Sequence, residues 1–258
     1  MKKNLLTLLA LCLFSLGTWA QSFEAYEKHQ YISTDGDTLN YRLLVPENIQ
    51  AGKKYPLVLF LHGAGERGND NELQLFHGGQ MWLNPVVREE YPAFILVPQC
   101  PKNGYWAYSR RPKSFNPNEM PSQPDKASVF NTLKQLLDAH LDKPEVDKSR
   151  IYIMGLSMGA MGTFDMVIRH PELFAAAVPI CGTVNPERLT AVEDVKFRIY
   201  HGDKDPVVPV EGSRQAYRAL KAAGKSVIYI EYPGVEHDSW HRAFNDPEFM
   251  KWMFSQKK

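Results

Sequence analysis

Six short, nearly unbroken apolar runs constrain this chain more than any other feature: Tyr55 to Leu61, Ala93 to Val97, Arg150 to Met154, Ala175 to Ile180, Phe197 to Tyr200 and Val227 to Glu231. Runs of this length without polar alternation are the mark of parallel strands covered on both faces. Helical patterns stand between them. Val129, Leu133, Leu136, Leu137 and His140 recur at helical spacing, and Ser213 to Ala223 reads as a helix stopped by Gly224. A final helix starts where Asp246 can cap and Pro247 can occupy the first turn. Ahead of these units, Tyr31 to Val45 alternates around Asp35-Gly36, with Leu39, Tyr41, Leu43 and Val45 on one face, which predicts an antiparallel hairpin. A hairpin feeding repeated βα units is an α/β fold, a mostly parallel doubly wound sheet in one domain over residues 21–258.

Residues 1–20 are set apart from that domain. Lys2 and Lys3 precede an apolar stretch from Leu5 to Leu16 that is too short to span a bilayer, and Thr18-Trp19-Ala20 offers small residues at a cleavage site. The expectation is a secretory signal peptide cut before Gln21, and so a secreted or periplasmic protein. Cys12 follows Leu11 in the middle of the apolar stretch, which is the wrong context for a lipid anchor. Losing Lys2 and Lys3 leaves 28 basic against 29 acidic side chains, so no electrostatic footprint for nucleic acid or an acidic membrane is expected. Export would permit a disulfide, and Cys100 and Cys181 allow one pairing; whether they meet depends on strand order, which spacing does not supply.

The chemistry is concentrated after the third of these apolar runs. Gly155-Leu156-Ser157-Met158-Gly159 lies between the run ending at Met154 and the helix-like segment Ala160 to Arg169. A G-x-S-x-G sequence at a strand-to-helix turn is a nucleophile elbow, whose glycines avoid clashes while the serine hydroxyl is held above the sheet. Serine needs a base, and the base an orienting acid, in the chain order Ser, Asp or Glu, His. Two strands downstream end in suitable groups: Phe197 to Tyr200 leads into His201-Gly-Asp-Lys-Asp205-Pro, and Val227 to Glu231 into Pro233-Gly-Val-Glu-His237. Asp203 and Asp205 both compete for the acid position.

His62-Gly-Ala-Gly-Glu-Arg-Gly68, Pro98-Gln-Cys-Pro101 followed by Trp106, the elbow, His201 to Pro209 and Gly234-Val-Glu-His237 together resemble the α/β-hydrolase esterases, in particular the secreted predicted-peptidase, dienelactone-hydrolase-like and phospholipase/carboxylesterase group. That resemblance covers nearly the whole mature chain. It implies Ser157 as nucleophile, His237 as base, Asp205 as acid, and the backbone N–H groups of Ala64 and Met158 as oxyanion hole. It also implies an ester substrate, tilting toward acetyl or hydroxycinnamoyl groups on polysaccharide or oligosaccharide. A peptidase of the same fold, a lysophospholipase or acyl-thioesterase, and an inactive binding module are competing readings. The peptidase activity usually comes with an additional domain, and the third conflicts with the intact triad residues.

Residues 101–124 carry five prolines and no period, a long ordered loop of the kind that often serves function. Its Tyr105 and Trp106, with Trp240 and the motif residue Gln99, are the candidate substrate contacts, the aromatic ones as platforms for sugar rings; the alternative is that these aromatics pack the loop down. No segment between Cys181 and Phe197 is long enough for a large cap domain, so an open site is expected. His237 and His241 are spaced like half a metal site, but with no further ligand cluster no metal or other cofactor is expected. Gly63-x-Gly65-x-x-Gly68 fits a dinucleotide fingerprint only superficially, because a polar Asn69-Asp-Asn-Glu stretch follows where a helix would have to open. His62 and His201 read as structural, and His29, His77, His140 and His170 have no constellation around them.

Overall fold

The computed structural model describes residues 22–258 apart from 124, 126 and 127; the signal peptide expected at residues 1–20 and its cleavage point at Gln21 lie outside the described residues. Eight strands form one sheet in the order β1-β2-β4-β3-β5-β6-β7-β8. They are β1 Glu27–Ile32, β2 Thr38–Leu44, β3 Tyr55–Leu61, β4 Phe94–Pro98, β5 Val146–Leu156, β6 Ala176–Ile180, β7 Lys196–Gly202 and β8 Val227–Tyr232. The first two pair antiparallel, with Ile32 opposite Thr38, and β2 runs antiparallel to β4. From β4 to β8 every pairing is parallel. This is the expected α/β arrangement, a hairpin at one edge of a doubly wound sheet.

The apolar runs are continuous because both faces of the central strands are covered. Along β5, Ile151 and Ile153 enter one core while Tyr152 and Met154 enter the other. The longer helices are α3 Ser128–Leu141, α4 Met158–Arg169, α5 Glu211–Ala222 and α7 Glu248–Ser255; the shorter are α1 Gly79–Trp82, α2 Pro85–Glu90 and α6 Trp240–Phe244. Local chemistry sets their ends. Asp246 Oδ1 accepts the Glu248 N–H at 3.0 Å at the start of α7. Gly224, at φ +72°, closes α5 by donating to Lys221 O.

Strand order settles the cysteine question. Cys100 follows β4 and Cys181 follows β6, with β3 and β5 between them. Three strand spacings separate the two ends by about 14 Å, twice the reach of a disulfide. Both thiols are free and buried.

The β5-α4 turn is the tightest point in the fold. A Cβ on Gly159 would lie 1.9 Å from Leu61 O, and one on Gly155 would lie 2.4 Å from Gly159 O. Backbone atoms cannot yield as a flexible side chain can, so Gly159→Ala is expected to cost about 3 kcal/mol or more. Urea denaturation measures this; a variant of near wild-type midpoint would mean that the helix can lift off β3 without penalty.

Candidate active site

The tight turn forces Ser157 into an unusual backbone conformation, φ +54° and ψ −115°. Side chains rarely adopt positive φ, and the conformation persists because its neighbours over-determine it. Ser157 N–H donates to Ile180 O at 2.9 Å, while Ser157 O accepts the Met161 N–H at 3.2 Å. The hydroxyl is thereby held over the C-terminal edge of the sheet at the first turn of α4.

His237 comes from the loop after β8 and Asp205 from the loop after β7. The Ser157 hydroxyl lies 2.9 Å from His237 Nε2, and His237 Nδ1 lies 2.7 Å from Asp205 Oδ2. This pairing fixes the tautomer: Nδ1 carries the proton toward the carboxylate, leaving Nε2 to accept from serine. Asp203 does not compete, because its Oδ1 accepts the Gly234 N–H at 2.6 Å and stabilises the turn beneath His237. The Asp205 side chain is fully buried whereas His237 is 20% exposed.

Burial alone would raise the Asp205 pKa, but the surrounding donors reverse the sign and hold it far below the usual carboxylate range. Oδ1 accepts the N–H groups of Val207 and Val208 at 2.8 and 2.9 Å. Oδ2 accepts from a second imidazole besides His237: His201 Nε2 stands 3.1 Å away, also facing Val208 O at 3.0 Å. The other nitrogen of His201 pairs with the Ser213 hydroxyl at 2.7 Å. His201 is thus structural in the specific sense of anchoring the acid, a role that its place in the sequence did not disclose.

On the other side of Ser157, Ala64 begins a 3-10 turn over Ala64–Glu66 directly after β3. The preceding Gly63 is so close to β5 that an added Cβ would meet Leu156 Cδ1 at 2.8 Å. The N–H groups of Ala64 and Met158 therefore belong to two segments flanking the serine, Met158 being the first residue of α4 and so lacking an intrahelical acceptor. His62 holds this loop. Its Nε2 accepts the Cys100 N–H at 2.9 Å, its Nδ1–H donates to Gly63 O at 2.6 Å, and its carbonyl accepts the Trp106 indole N–H at 3.0 Å.

Three of the four expected substrate contacts are corrected by burial. Trp106 is 0% and Tyr105 2% exposed, so neither presents a ring face to a sugar. Trp106 instead lies on α4 where Gly162 leaves room; a Cβ there would come within 2.6 Å of Trp106 Cβ. Gln99 is also buried, its amide nitrogen donating to Glu66 O and Asp70 Oδ1 and its oxygen accepting the Asn71 N–H. It shapes the loop after β3 rather than the site surface. Trp240 remains partly exposed, with its ring edge-on to His237 at 5.6 Å between centroids.

His77, which has no partners by sequence proximity, joins this neighbourhood. Its ring lies 4.9 Å from that of Trp240, and its Nε2 is 3.7 Å from Glu66 Oε1. Burial raises the Glu66 pKa and lowers that of His77, the latter helped by His241 nearby. Arg67 donates to the carbonyls of Ala64 and Gly104. Cys181, Asp205 and His237 have potential ligand atoms within 4.8 Å of one another. Their chemistry fits a metal poorly, since the imidazole and carboxylate are already bonded to each other and burial pushes the Cys181 thiol up.

Burial of neutral His62 has a consequence for stability. Desolvation lowers its pKa from 6.5 to about 4, so between these values the unfolded chain binds a proton that the folded one does not. The contribution of His62 is therefore intact above pH 6.5 and declines as the pH falls toward 4. At pH 5 the loss from this residue amounts to about 2 kcal/mol. Urea unfolding of the wild type and of His62→Gln at pH 7 and pH 5 tests this, because buried His140 is shifted in the same direction; an equal pH dependence in the two proteins would show that His62 contributes none of it.

The family profile described as phospholipase/carboxylesterase matches residues 47–251. A probable feruloyl esterase C of Aspergillus flavus is 25% identical over 196 residues, 76% of this chain and 66% of the relative. An endo-1,4-beta-xylanase/feruloyl esterase of Xylanibacter ruminicola is 28% identical over 74% of this chain, which spans 25% of that protein. Among solved structures, a thermostable esterase superposes with a TM-score of 0.82 at 36% identity, over 92% of this chain and 64% of its own. The chain thus spans slightly less than two thirds of the feruloyl esterase and of the thermostable esterase. With its strand order, its elbow at Ser157 and a profile match over most of its length, the chain belongs to the phospholipase/carboxylesterase family of α/β-hydrolases.

Proposed function

We propose that the protein is a secreted serine carboxylesterase that cleaves acetyl or hydroxycinnamoyl esters of carbohydrates through an acyl-enzyme. The observation that carries the reading is the unbroken relay Asp205 Oδ2, His237, Ser157 Oγ, with links of 2.7 and 2.9 Å. Ser157 Oγ attacks the ester carbonyl carbon as its proton passes to His237 Nε2. Asp205 stays ionised and stabilises the imidazolium. The carbonyl oxygen becomes an oxyanion facing the N–H groups of Ala64 and Met158. Collapse of the tetrahedral intermediate breaks the bond to the alcohol oxygen, which takes the proton back from His237 Nε2. Water then repeats the sequence on the acyl-enzyme and releases the acid.

The carbohydrate part is supported by the names of the feruloyl esterase relatives and an open approach to Ser157. Between β6 and β7 the described residues form only a short 3-10 segment, Pro186–Ala191, so no large cap is inserted between these strands. Secretion rests on the charged and apolar pattern of residues 1–20, and N-terminal mass analysis of the exported protein should find Gln21 as the first residue. Retention of Lys2 and Lys3 would contradict it.

Turnover of p-nitrophenyl acetate, methyl ferulate and acetylated xylan tests the activity. Ser157→Ala and His237→Ala should each lower kcat by about three powers of ten or more, with the double variant hardly worse, because the residues act as one unit. Substantial activity in Ser157→Ala would remove the acyl-enzyme from the mechanism.

His201 allows a finer test of the same relay. His201→Ala removes one donor from Asp205 Oδ2 and should cost about tenfold in kcat with little change in KM, whereas His201→Gln retains an N–H donor and should restore part of the rate. Equal losses in both variants would mean that ring packing, not the hydrogen bond to Asp205, is what matters.

A further inference from the structure

Next to the triad histidine, a groove of about 430 Å³ runs between the Phe76–Trp82 segment and α6. Phe76, His77, Gln80, Trp240, Phe244 and Asn245 define its walls. We propose that this groove is the subsite for the alcohol half of the substrate, and that it binds a neutral oligosaccharide. The proposal rests on the ester-hydrolase reading and adds to it where the departing group lies and what chemical class it belongs to.

Reaction geometry selects the side. The leaving oxygen must come within hydrogen-bond reach of His237 Nε2 to take its proton. Trp240 packs edge-on against that same imidazole, 5.6 Å between centroids, and is also one of the residues lining the groove. A chain attached to the leaving oxygen can therefore pass over Trp240 into the groove without crossing the oxyanion donors, which stand on other segments.

Lining chemistry selects the occupant. Phe76 is 65% exposed and borders the groove, so its ring face is open to a ligand. With the partly buried rings of Trp240, His77 and Phe244 it offers apolar faces on both walls, suited to the C–H faces of pyranose rings. Gln80 and Asn245 are exposed amides; the Asn245 nitrogen donates to His241 O at 2.7 Å, leaving its Oδ1 to accept from a hydroxyl group, and Gln80 offers both donors and an acceptor. No lysine, arginine, aspartate or glutamate lines the groove, which disfavours a phosphate or uronate ligand. Its volume is sufficient for two or three sugar rings.

The test uses the full secreted chain carrying Ser157→Ala, titrated with xylotetraose, cellotetraose and, separately, ferulate, with tryptophan fluorescence and calorimetry as readouts. Xylotetraose or cellotetraose should bind and perturb the fluorescence. Adding Phe76→Ala should weaken binding about three- to tenfold, and adding Asn245→Ala about threefold. Ligand-observed saturation transfer should place the sugar C–H protons against aromatic side chains. Failure of both tetrasaccharides to bind at millimolar concentration overturns the proposal, as does binding that Phe76→Ala and Asn245→Ala leave unchanged. Ferulate binding that those two substitutions weaken would assign the groove to the acyl half and overturn it too. The esterase reading is judged separately by wild-type turnover of p-nitrophenyl acetate, so a failed subsite with retained turnover is distinguishable from a failed enzyme.

Discussion

The close approach of α4 to the end of β3 is the constraint on which the rest of the structure depends. Gly159 sits so near Leu61 O that no side chain fits there, and only with the helix that low does its first turn begin at the sheet edge. That position forces Ser157 to positive φ, directs its hydroxyl away from the sheet and leaves Met158 N–H free of an intrahelical acceptor. The same approach brings Gly63 against Leu156, so the loop carrying Ala64 is packed onto the elbow. One steric condition thus sets the serine and both segments that supply the proposed oxyanion donors.

Electrostatics complete what sterics begin. Asp205 is a buried carboxylate, which by desolvation alone would favour the neutral acid. Four hydrogen bonds, two from backbone N–H groups and two from imidazoles, reverse that preference. The two imidazoles are not equivalent. His201 is fully buried and tied at its far end to Ser213, whereas His237 is partly exposed and tied at its far end to Ser157. A fixed donor beside a functional one holds the carboxylate orientation while the proton on His237 shifts during the proposed reaction. The pairing of one rigid and one reactive histidine follows from a four-residue offset across the end of β7, where His201 is the last inward side chain and Asp205 lies in the following turn.

Most of the fold was legible because strands covered on both faces leave an unambiguous apolar signature, and the elbow because its glycines are required by geometry. The sheet order was not: β4 lies between β2 and β3, and nothing in local sequence distinguishes that from consecutive order. The separation of Cys100 and Cys181 was hidden for the same reason. Tyr105 and Trp106 were misjudged because a proline-rich loop has no period from which burial can be read. Trp106 is inside because Gly162, more than fifty residues later, leaves a gap on α4 and His62 supplies a carbonyl for the indole. Those are tertiary facts. His77 was missed in the same way, since Glu66, Trp240 and His241 surround it from three separate stretches of chain.

Burial of the Tyr105 and Trp106 pair changes how recognition and chemistry are divided. In the elbow and its supporting loop every aromatic side chain has its polar atom or ring face engaged by protein, so those residues rigidify rather than recognise. Exposed rings and amides are displaced to the Phe76–Trp82 segment and α6, which contribute no member of the relay. Recognition there can vary with little consequence for Ser157 or Asp205. Trp240 is the exception, because its ring touches both His237 and His77. A ligand that shifts this ring also shifts the packing of the base, and through His77 and Glu66 it reaches the loop that carries Ala64. In the proposed subsite, an occupant resting on Trp240 would thus meet a ring packed against both the triad base and His77.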